Sequence, residues 1–466
     1  MTIDFMNVFE QKVYEFCQKE HLLEFGKCVV GVSGGPDSVA LLRFLAKIRS
    51  GDITAMHVNH NLRPVRCDED EAFVKDLCES LGVELKTKSV DIAALAKETG
   101  ESVETCGRRV RYDFFKTAKA DVIAVAHHRD DLAETMLMNL FRGSGLEGLV
   151  SPRPESEGII RPFLCVSKDE ILEYLTELGQ PFCTDDTNYG TEGTRNTIRN
   201  VILPAAGDNS RKKLAGTYEL LKTDLDYLES ASAQLFEKSK IEPGSFEALD
   251  RTVLRDAHPA LLSRVIRKLW KDTFGNLTDF ETVNLDDAKA LIEKEGTDGT
   301  VTLDMPFGRK CYLAYDVFGF CEEGDFETVM CALARSKNCL AVPMGVEIKL
   351  KAGTAAEIPD SGIYVKCRTV ENKEALSYNK FSRVCPSGLP LVLRNDASDL
   401  CFSGSSKKLK RRLSDEKVPE AARKYVLTVT AGDEIVWVPG MRQANPDSGD
   451  GPWLEITIEQ RSYDGD

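Results

Sequence analysis

Gly31-Val32-Ser33-Gly34-Gly35-Pro36-Asp37-Ser38 follows directly on the apolar run Cys28-Val29-Val30. A buried strand that ends in glycines and turns into a helix is a ready phosphate cradle. Without side chains at Gly34 and Gly35, backbone N–H groups can approach oxygens that a Cβ would keep away. The Ser33 and Ser38 hydroxyls add donors, and Asp37 can hold a magnesium ion that bridges phosphates. Ser33, Gly34, Gly35, Pro36, Asp37 and Ser38 are therefore the candidate nucleotide-binding set, with Asp37 the candidate metal ligand. No lysine follows the glycines, so this is not the Gly-x-x-x-x-Gly-Lys-Ser/Thr loop of ordinary nucleotidases. The competing reading is a glycine-rich turn that binds nothing.

Working outward, Ile53 to Val58, Val83 to Ser89 and Val122 to Ala126 read as further buried strands, each followed by a stretch of helical periodicity. An amphipathic segment, Phe5 to Leu23, precedes them. This alternation predicts an α/β fold with a doubly wound parallel sheet, in which ligands sit beyond the carboxyl ends of the strands. Pro204 and Ala205-Ala206-Gly207 close that domain, giving it residues 1–207. From Asn209 to about Lys294 the apolar spacing becomes helical, and β-like runs follow at Val301 to Leu303 and Tyr312 to Phe320. Residues 208–325 form a mainly helical domain on this reading. Residues 326–466 form a small α+β domain with strands at Val346 to Leu350, Leu391 to Leu393 and Glu434 to Val438.

A chain of 466 residues is too long for one core. It has no apolar stretch of membrane-spanning length and no basic-then-apolar leader, which predicts a soluble cytoplasmic protein without membrane contact. Its fourteen cysteines include no Cys-x-x-Cys pair and read as small buried apolar residues rather than a disulfide framework, zinc knuckle or iron–sulfur site. A net charge of −15 disfavours a nucleic-acid partner except through local basic patches. One such patch runs from Lys407 to Lys424. There Lys407, Lys408, Lys410, Arg411, Arg412, Lys417, Arg423 and Lys424 face only Asp415, Glu416 and Glu420, an excess of five positive charges.

Two further stretches fall at predicted strand ends, and a third lies on a predicted helix. Ala126-His127-His128-Arg129-Asp130-Asp131-Leu132-Ala133-Glu134-Thr135 places Asp131 and Glu134 on one helix face beside the cradle. Capping explains one carboxylate there, but not two histidines with three acids. Gly107-Arg108-Arg109-Val110-Arg111-Tyr112 puts Arg108 and Arg111 on one side of a helix, where guanidinium groups suit phosphate or simply face solvent. His57-Val58-Asn59-His60-Asn61-Leu62-Arg63 is polar at a strand end, where a histidine is more often structural than functional.

The octet resembles the Ser-Gly-Gly-x-Asp-Ser signature of the PP-loop ATP pyrophosphatases. Together with the stretches just named, Arg142-Gly143-Ser144-Gly145-Leu146-Glu147-Gly148-Leu149, Arg161-Pro162-Phe163-Leu164, Asp186-Thr187-Asn188 and Arg195-Asn196-Thr197-Ile198-Arg199 occur in the order of the tRNA(Ile)-lysidine synthetases. Lys407-Lys408-Leu409-Lys410, Lys417-Val418-Pro419 and Trp437-Val438-Pro439-Gly440-Met441-Arg442 resemble that family's tRNA-contacting C-terminal domain. Asn61, Leu132 and Thr187 depart from it, standing where Gly, Gln and Ser are usual.

The resemblance implies a PP-loop catalytic domain at 1–207, a tRNA-binding helical domain at 208–325 and a tRNA-recognition domain at 326–466. It implies ATP and Mg2+ as cofactors, free L-lysine and a CAU-anticodon tRNA(Ile) as partners, and allows a homodimer. The reaction implied is ligation of lysine to C2 of the wobble cytidine through an adenylated base. Asp37, Arg108, His127, Asp131 and Glu134 would be catalytic, with Asp131 and Glu134 binding the lysine ammonium and any of His127, Asp131 and Glu134 acting as base. Arg111, Arg195, Asn196, Arg199, Lys407, Lys408, Lys410 and Arg411 would bind substrate. Two rivals stay open: a PP-loop tRNA thiolase, and a non-catalytic tRNA-binding protein on an ATPase scaffold.

Overall fold

The computed structural model describes residues 6–49, 51–61, 64–183, 194–207, 209–278, 280–296, 299–359, 361–371, 381–403, 405–441 and 452–460. Two compact units divide the chain, Met1–Tyr227 and Leu228–Asp466. The first is built on a six-stranded sheet of β1 (Cys28–Gly31), β2 (Ile53–Asn59), β3 (Glu84–Ser89), β4 (Val122–Ala124), β5 (Glu155–Ser156) and β6 (Ile159–Ile160). Their order is β3-β2-β1-β4-β6-β5, parallel throughout except for the β5–β6 hairpin.

The chain steps outward from β1 through β2 to β3, then returns to place β4 on the other side of β1. That reversal opens a crevice at the carboxyl ends of β1 and β4, where doubly wound sheets bind ligands. Val30 pairs with Ala55 on one side and Ala124 on the other, so the residues following β1 and β4 emerge together. Cys28, Val29 and Val30 are buried, and α1 (Val8–Lys19), α2 (Pro36–Ile48) and later Phe163 and Tyr174 pack over the sheet. Gly31 is required by contact: a Cβ there would lie 2.7 Å from the Phe115 ring.

Between the strands run α3 (Pro64–Leu81), α4 (Ile92–Thr99) and α5 (Val103–Lys116); α6 (Arg129–Phe141), α7 (Leu146–Leu149) and α8 (Lys168–Glu177) follow β4. One strand differs from expectation. Glu84–Ser89 is the sheet's edge and largely exposed, because its Glu-Leu-Lys-Thr-Lys-Ser sequence protects an unpaired edge with charge rather than burying it. Leu132, the departure from the family pattern, lies buried among Val150, Leu164, Tyr218 and Leu225. Asn61 takes the left-handed conformation (φ 51°) that its amide side chain tolerates.

In the second unit, the helices Pro259–Phe274 and Thr282–Glu293 pack with a five-stranded antiparallel sheet spanning residues 240–322 around Trp270, Phe280, Phe318 and Phe320. The stretch Tyr312 to Phe320 is two strands rather than one, Arg309–Ala314 and Val317–Glu322, turning at Tyr315 with φ 55°. Beyond it lie a five-stranded and a four-stranded sheet; the latter contains Ile363–Val370 and Trp453–Gln460 in an eight-residue antiparallel register. Among the described residues no helix is long and apolar enough to cross a membrane.

Candidate active site

The loop after β1 folds as a cradle because each small residue satisfies its neighbour. Ser38 Oγ accepts from the Ser33 N–H (3.1 Å), lies 3.1 Å from Ser33 Oγ, and donates to the Gly35 carbonyl (3.0 Å). Gly34 has φ 86°, and a Cβ there would meet Cys183 Sγ at 3.2 Å, so both conformation and space call for glycine. Gly35 begins α2 without any side-chain cap, and Pro36 follows at a position that has no N–H to satisfy. Asp37 stands in the first turn. Both of its carboxylate oxygens accept from Lys168 Nζ, at 2.6 and 2.8 Å.

The segment after β4 enters α6 through a capping box. His128 Nδ1 accepts from the Asp130 N–H (3.3 Å), and Asp131 Oδ2 accepts from the His128 N–H (2.9 Å). The His128 ring stands between the two halves of the site, with Nε2 4.0 Å from Asp37 Oδ1 and 3.6 Å from Asp131 Oδ2. Asp130 ties α6 to α8 by accepting from the Lys168 N–H (3.0 Å). Burial alone would raise the Asp131 carboxyl. His128, His127, the His128 N–H and Arg195 outweigh that and hold it below the usual carboxylate range.

Glu134, 1% exposed, accepts from Arg195 Nε (3.0 Å) and from Arg199 Nε and Nη2 (2.6 and 2.8 Å). The same two guanidinium groups approach Asp131 at 3.5 and 3.7 Å. Residues 198–202 form one wide helical turn that carries Arg199 to this carboxylate. Arg195 and Arg199, expected as substrate-binding residues, thus share the site with the two carboxylates expected to bind an ammonium. Asn196 lies between them, partly buried. Asp186, Thr187 and Asn188 lie outside the described residues.

His127 has a buried Nδ1 with no hydrogen-bond partner, and its pKa is lowered to about 4. Burial is the main cause; Arg161, Arg195 and Arg108 add to it and Asp131 opposes it. The ring is therefore neutral near pH 7. Arg108 is exposed and sits over the Tyr112 ring at 5.0 Å; Arg111 is exposed as well. Arg161 is buried, donating through Nη1 to the Arg153 carbonyl (2.8 Å) and to Ser156 Oγ (3.0 Å), while its Nε has no partner. His57 and Asn59 are structural in their contacts: His57 Nδ1 lies 2.8 Å from the Val32 carbonyl, and Asn59 donates to Asp68 and Glu71.

Two residues near this site carry no sequence expectation. Lys168 is separated from Asp37 by 131 positions and carries no spacing signal. Arg161 belongs to a recognisable stretch, but nothing in that stretch says that its guanidinium is buried near His127.

In the second unit, Ser406, Lys407, Lys408, Lys410 and Arg411 line an open cleft of about 520 Å³. The basic patch is less bare than its sequence suggests. Lys407 pairs with Asp415 (2.6 Å), Lys410 with Asp399 (2.7 Å), Lys417 with Asp316 (3.1 Å) and Lys424 with Glu327 (2.9 Å). Asp399, Asp316 and Glu327 come from outside the stretch and bring its local excess from five to two.

Residues 6–206 match the PP-loop domain family, and residues 390–452 match the TilS substrate C-terminal domain family. The chain is 31% identical over 436 residues to the tRNA(Ile)-lysidine synthase of Clostridium tetani, covering 89% of this chain and 90% of that one. It is 29% identical over 459 residues to the enzyme of that name from Caldanaerobacter subterraneus (95% and 96% covered). With that from Bacillus subtilis the identity is 30% over 462 residues (93% and 94% covered). With the cradle and the paired carboxylates at the switch point of its sheet, and with relatives matched over nearly their whole length, the chain belongs to the tRNA(Ile)-lysidine synthase family.

Proposed function

We propose that this chain ligates the ε-amine of free lysine to C2 of the wobble cytidine in an isoleucine tRNA with a CAU anticodon. ATP is consumed, and AMP and pyrophosphate are released. A C2 carbonyl oxygen is a poor leaving group. In the first step it attacks the α-phosphorus of ATP, a P–O bond to pyrophosphate breaks, and the base is adenylated. In the second step the lysine nitrogen bonds to C2, the C2–O bond breaks, and AMP leaves with the oxygen while the nitrogen loses its proton.

The observation that carries this reading is the place of His128, whose ring bridges Asp37 of the cradle and Asp131 of the acidic face at 4.0 and 3.6 Å. An enzyme that adenylates a base and then aminates it must hold polyphosphate and amine side by side. The loop Ser33–Ser38 holds the departing pyrophosphate, and Arg108, exposed nearby, balances charge on the transferring group. Asp37, a hard oxygen ligand at the mouth of the cradle, would hold a magnesium ion, which supplies charge neutralisation for the phosphates.

Asp131 and Glu134 draw the lysine ammonium. Their charge is shared with Arg195 and Arg199, so an entering ammonium turns a guanidinium aside, and phosphate or RNA is the anion that would keep it there. Free lysine, with a reference pKa of about 10.4, is almost wholly protonated at pH 7. It must lose that proton before attack. The neutral His127 ring, with its unpartnered Nδ1, and the Asp131 and Glu134 carboxylates are the candidates to receive it. A reaction on tRNA that draws on free lysine and ATP belongs in the cytoplasm.

The test is to incubate the protein with ATP, labelled lysine and a transcript of this tRNA. Label should enter the CAU transcript and not one whose wobble cytidine is uridine, which lacks the C4 amine and differs in protonation at N3. Equal labelling of both, or of neither, overturns the assignment.

A further inference from the structure

The cradle lacks the lysine that phosphate-binding loops usually carry in their own sequence, yet a lysine is present in space. Lys168 Nζ reaches both oxygens of Asp37 at 2.6 and 2.8 Å, with 35% and 29% of the two side chains exposed. Its backbone is fixed on three sides. Its N–H donates to Asp130 Oδ2 (3.0 Å), Ser167 before it makes a capping box with Glu170, and Arg129 at the start of α6 donates its N–H to the Val166 carbonyl (2.8 Å). The pivot of the side chain is therefore rigid relative to α6, while its four-carbon stem, ending in a compact ammonium with three donors, can swing.

As it stands the pair occupies the carboxylate that a magnesium ion needs. A divalent cation competes well for a partly exposed carboxylate, and the ammonium it releases needs an anion within a stem's length of Asp37. In a loaded cradle that anion is the polyphosphate.

We propose that Lys168 is the polyphosphate-binding lysine of this site, held on Asp37 in the ligand-free chain and turned onto the phosphate oxygens when magnesium and nucleotide enter. The proposal rests on the reading of the cradle as an ATP site. It also gives α8 a role in catalysis: the helix delivers to the loop the charge that the loop's own sequence omits.

The experiment titrates the full-length wild type, Lys168→Met and Lys168→Arg with α,β-methylene-ATP, pyrophosphate and AMP, each with magnesium. Thermal melting of each protein confirms that it is folded. Removing one charge-assisted hydrogen bond to phosphate should weaken α,β-methylene-ATP and pyrophosphate by about ten- to a hundredfold in the Met variant. AMP binding should stay unchanged, and the Arg variant should regain most of the loss. A Met variant that binds all three as the wild type does, or that loses AMP in equal measure, overturns the proposal while leaving the ATP site standing. A wild type that binds none of them overturns the ATP site and this proposal with it.

Discussion

Arg199 meets Glu134 through two nitrogens, Nε at 2.6 Å from Oε1 and Nη2 at 2.8 Å from Oε2, across 65 positions of sequence. The carboxylate is almost wholly buried, while the guanidinium is about a third exposed. The bond to Glu134 raises the Arg199 pKa, so the arginine stays charged at any working pH. The partners are thus unequal. A buried carboxylate that loses its cation has no water to turn to, whereas a partly exposed guanidinium that loses its carboxylate does.

That asymmetry orders two substitutions. Arg199→Ala leaves Glu134 with Arg195 alone and should destabilise the fold by about 3 kcal/mol, the lower end for breaking a buried pair. Glu134→Gln keeps the shape and removes the buried charge, and should cost about 1 kcal/mol. Denaturant unfolding of the two variants checks the order; equal losses, or a larger loss for Glu134→Gln, would show that the arginine and not the carboxylate is the group in need of its partner.

The two halves of the site separate kinetically. Asp37→Ala should slow tRNA-dependent pyrophosphate release by roughly a hundred- to a thousandfold, the usual effect of removing one electrostatic interaction with a transition state. Asp131→Ala should fold and lose ligation by a similar factor. Glu134→Gln should mainly raise the lysine concentration needed for half-maximal rate. Pyrophosphate release and lysine dependence, measured on the same preparations, decide the matter: normal release in Asp37→Ala together with unchanged lysine dependence in Glu134→Gln means that the roles are misassigned.

Acid should weaken the first unit in a defined window. Burial lowers the pKa of His60 and of His127 to about 4, helped at His60 by Arg111 and His57 and at His127 by Arg161 and other arginines against the pull of Asp131. Unfolded, both rings titrate near 6.5. Between those values the unfolded chain binds more protons, so the stability that neutral rings contribute is full above pH 6.5 and is lost as pH falls toward 4. From pH 7 to pH 5 the loss is up to about 2 kcal/mol per ring. Unfolding free energies at the two pH values, for wild type and His60→Asn, test this. The variant should lose visibly less on acidification, and an identical loss in both proteins counts against His60.

The local parts of this site are legible in the sequence because they are made by local rules. A strand of Cys28-Val29-Val30 running into glycines, and a helix that starts at His128 with Asp131 three residues on, reveal both the cradle and the acidic face and place them at strand ends. What escapes is the pairing across the fold. Lys168 sits in a capping box that says only that a helix begins, and its contact with Asp37 depends on where α8 packs. Arg195 and Arg199 are visible as cations, but their use of Glu134 as anchor depends on the wide turn at 198–202. The edge position of β3 follows from strand order, which no single strand encodes.

The same non-local pairing sharpens the prediction for the basic patch. Four of its lysines are already paired within the chain, among them Lys407 on Asp415 and Lys410 on Asp399 in the cleft, where Arg411 lies beside them. These exposed pairs are weak, because solvent and salt screen them, and RNA phosphates can displace them. If the cleft grips tRNA, replacing Lys407, Lys408, Lys410 and Arg411 with Ala should weaken binding and flatten its salt dependence, by up to about 0.7–0.9 log unit of slope for each phosphate no longer neutralised. Replacing Asp399 and Asp415 with Asn should do the reverse, freeing the lysines and tightening tRNA binding at low salt. ATP binding should be untouched in both, since the nucleotide loop belongs to the other unit. Isotherms across a salt series decide it: a quadruple variant with the wild-type slope means that these side chains are solvated surface and that the tRNA docks elsewhere.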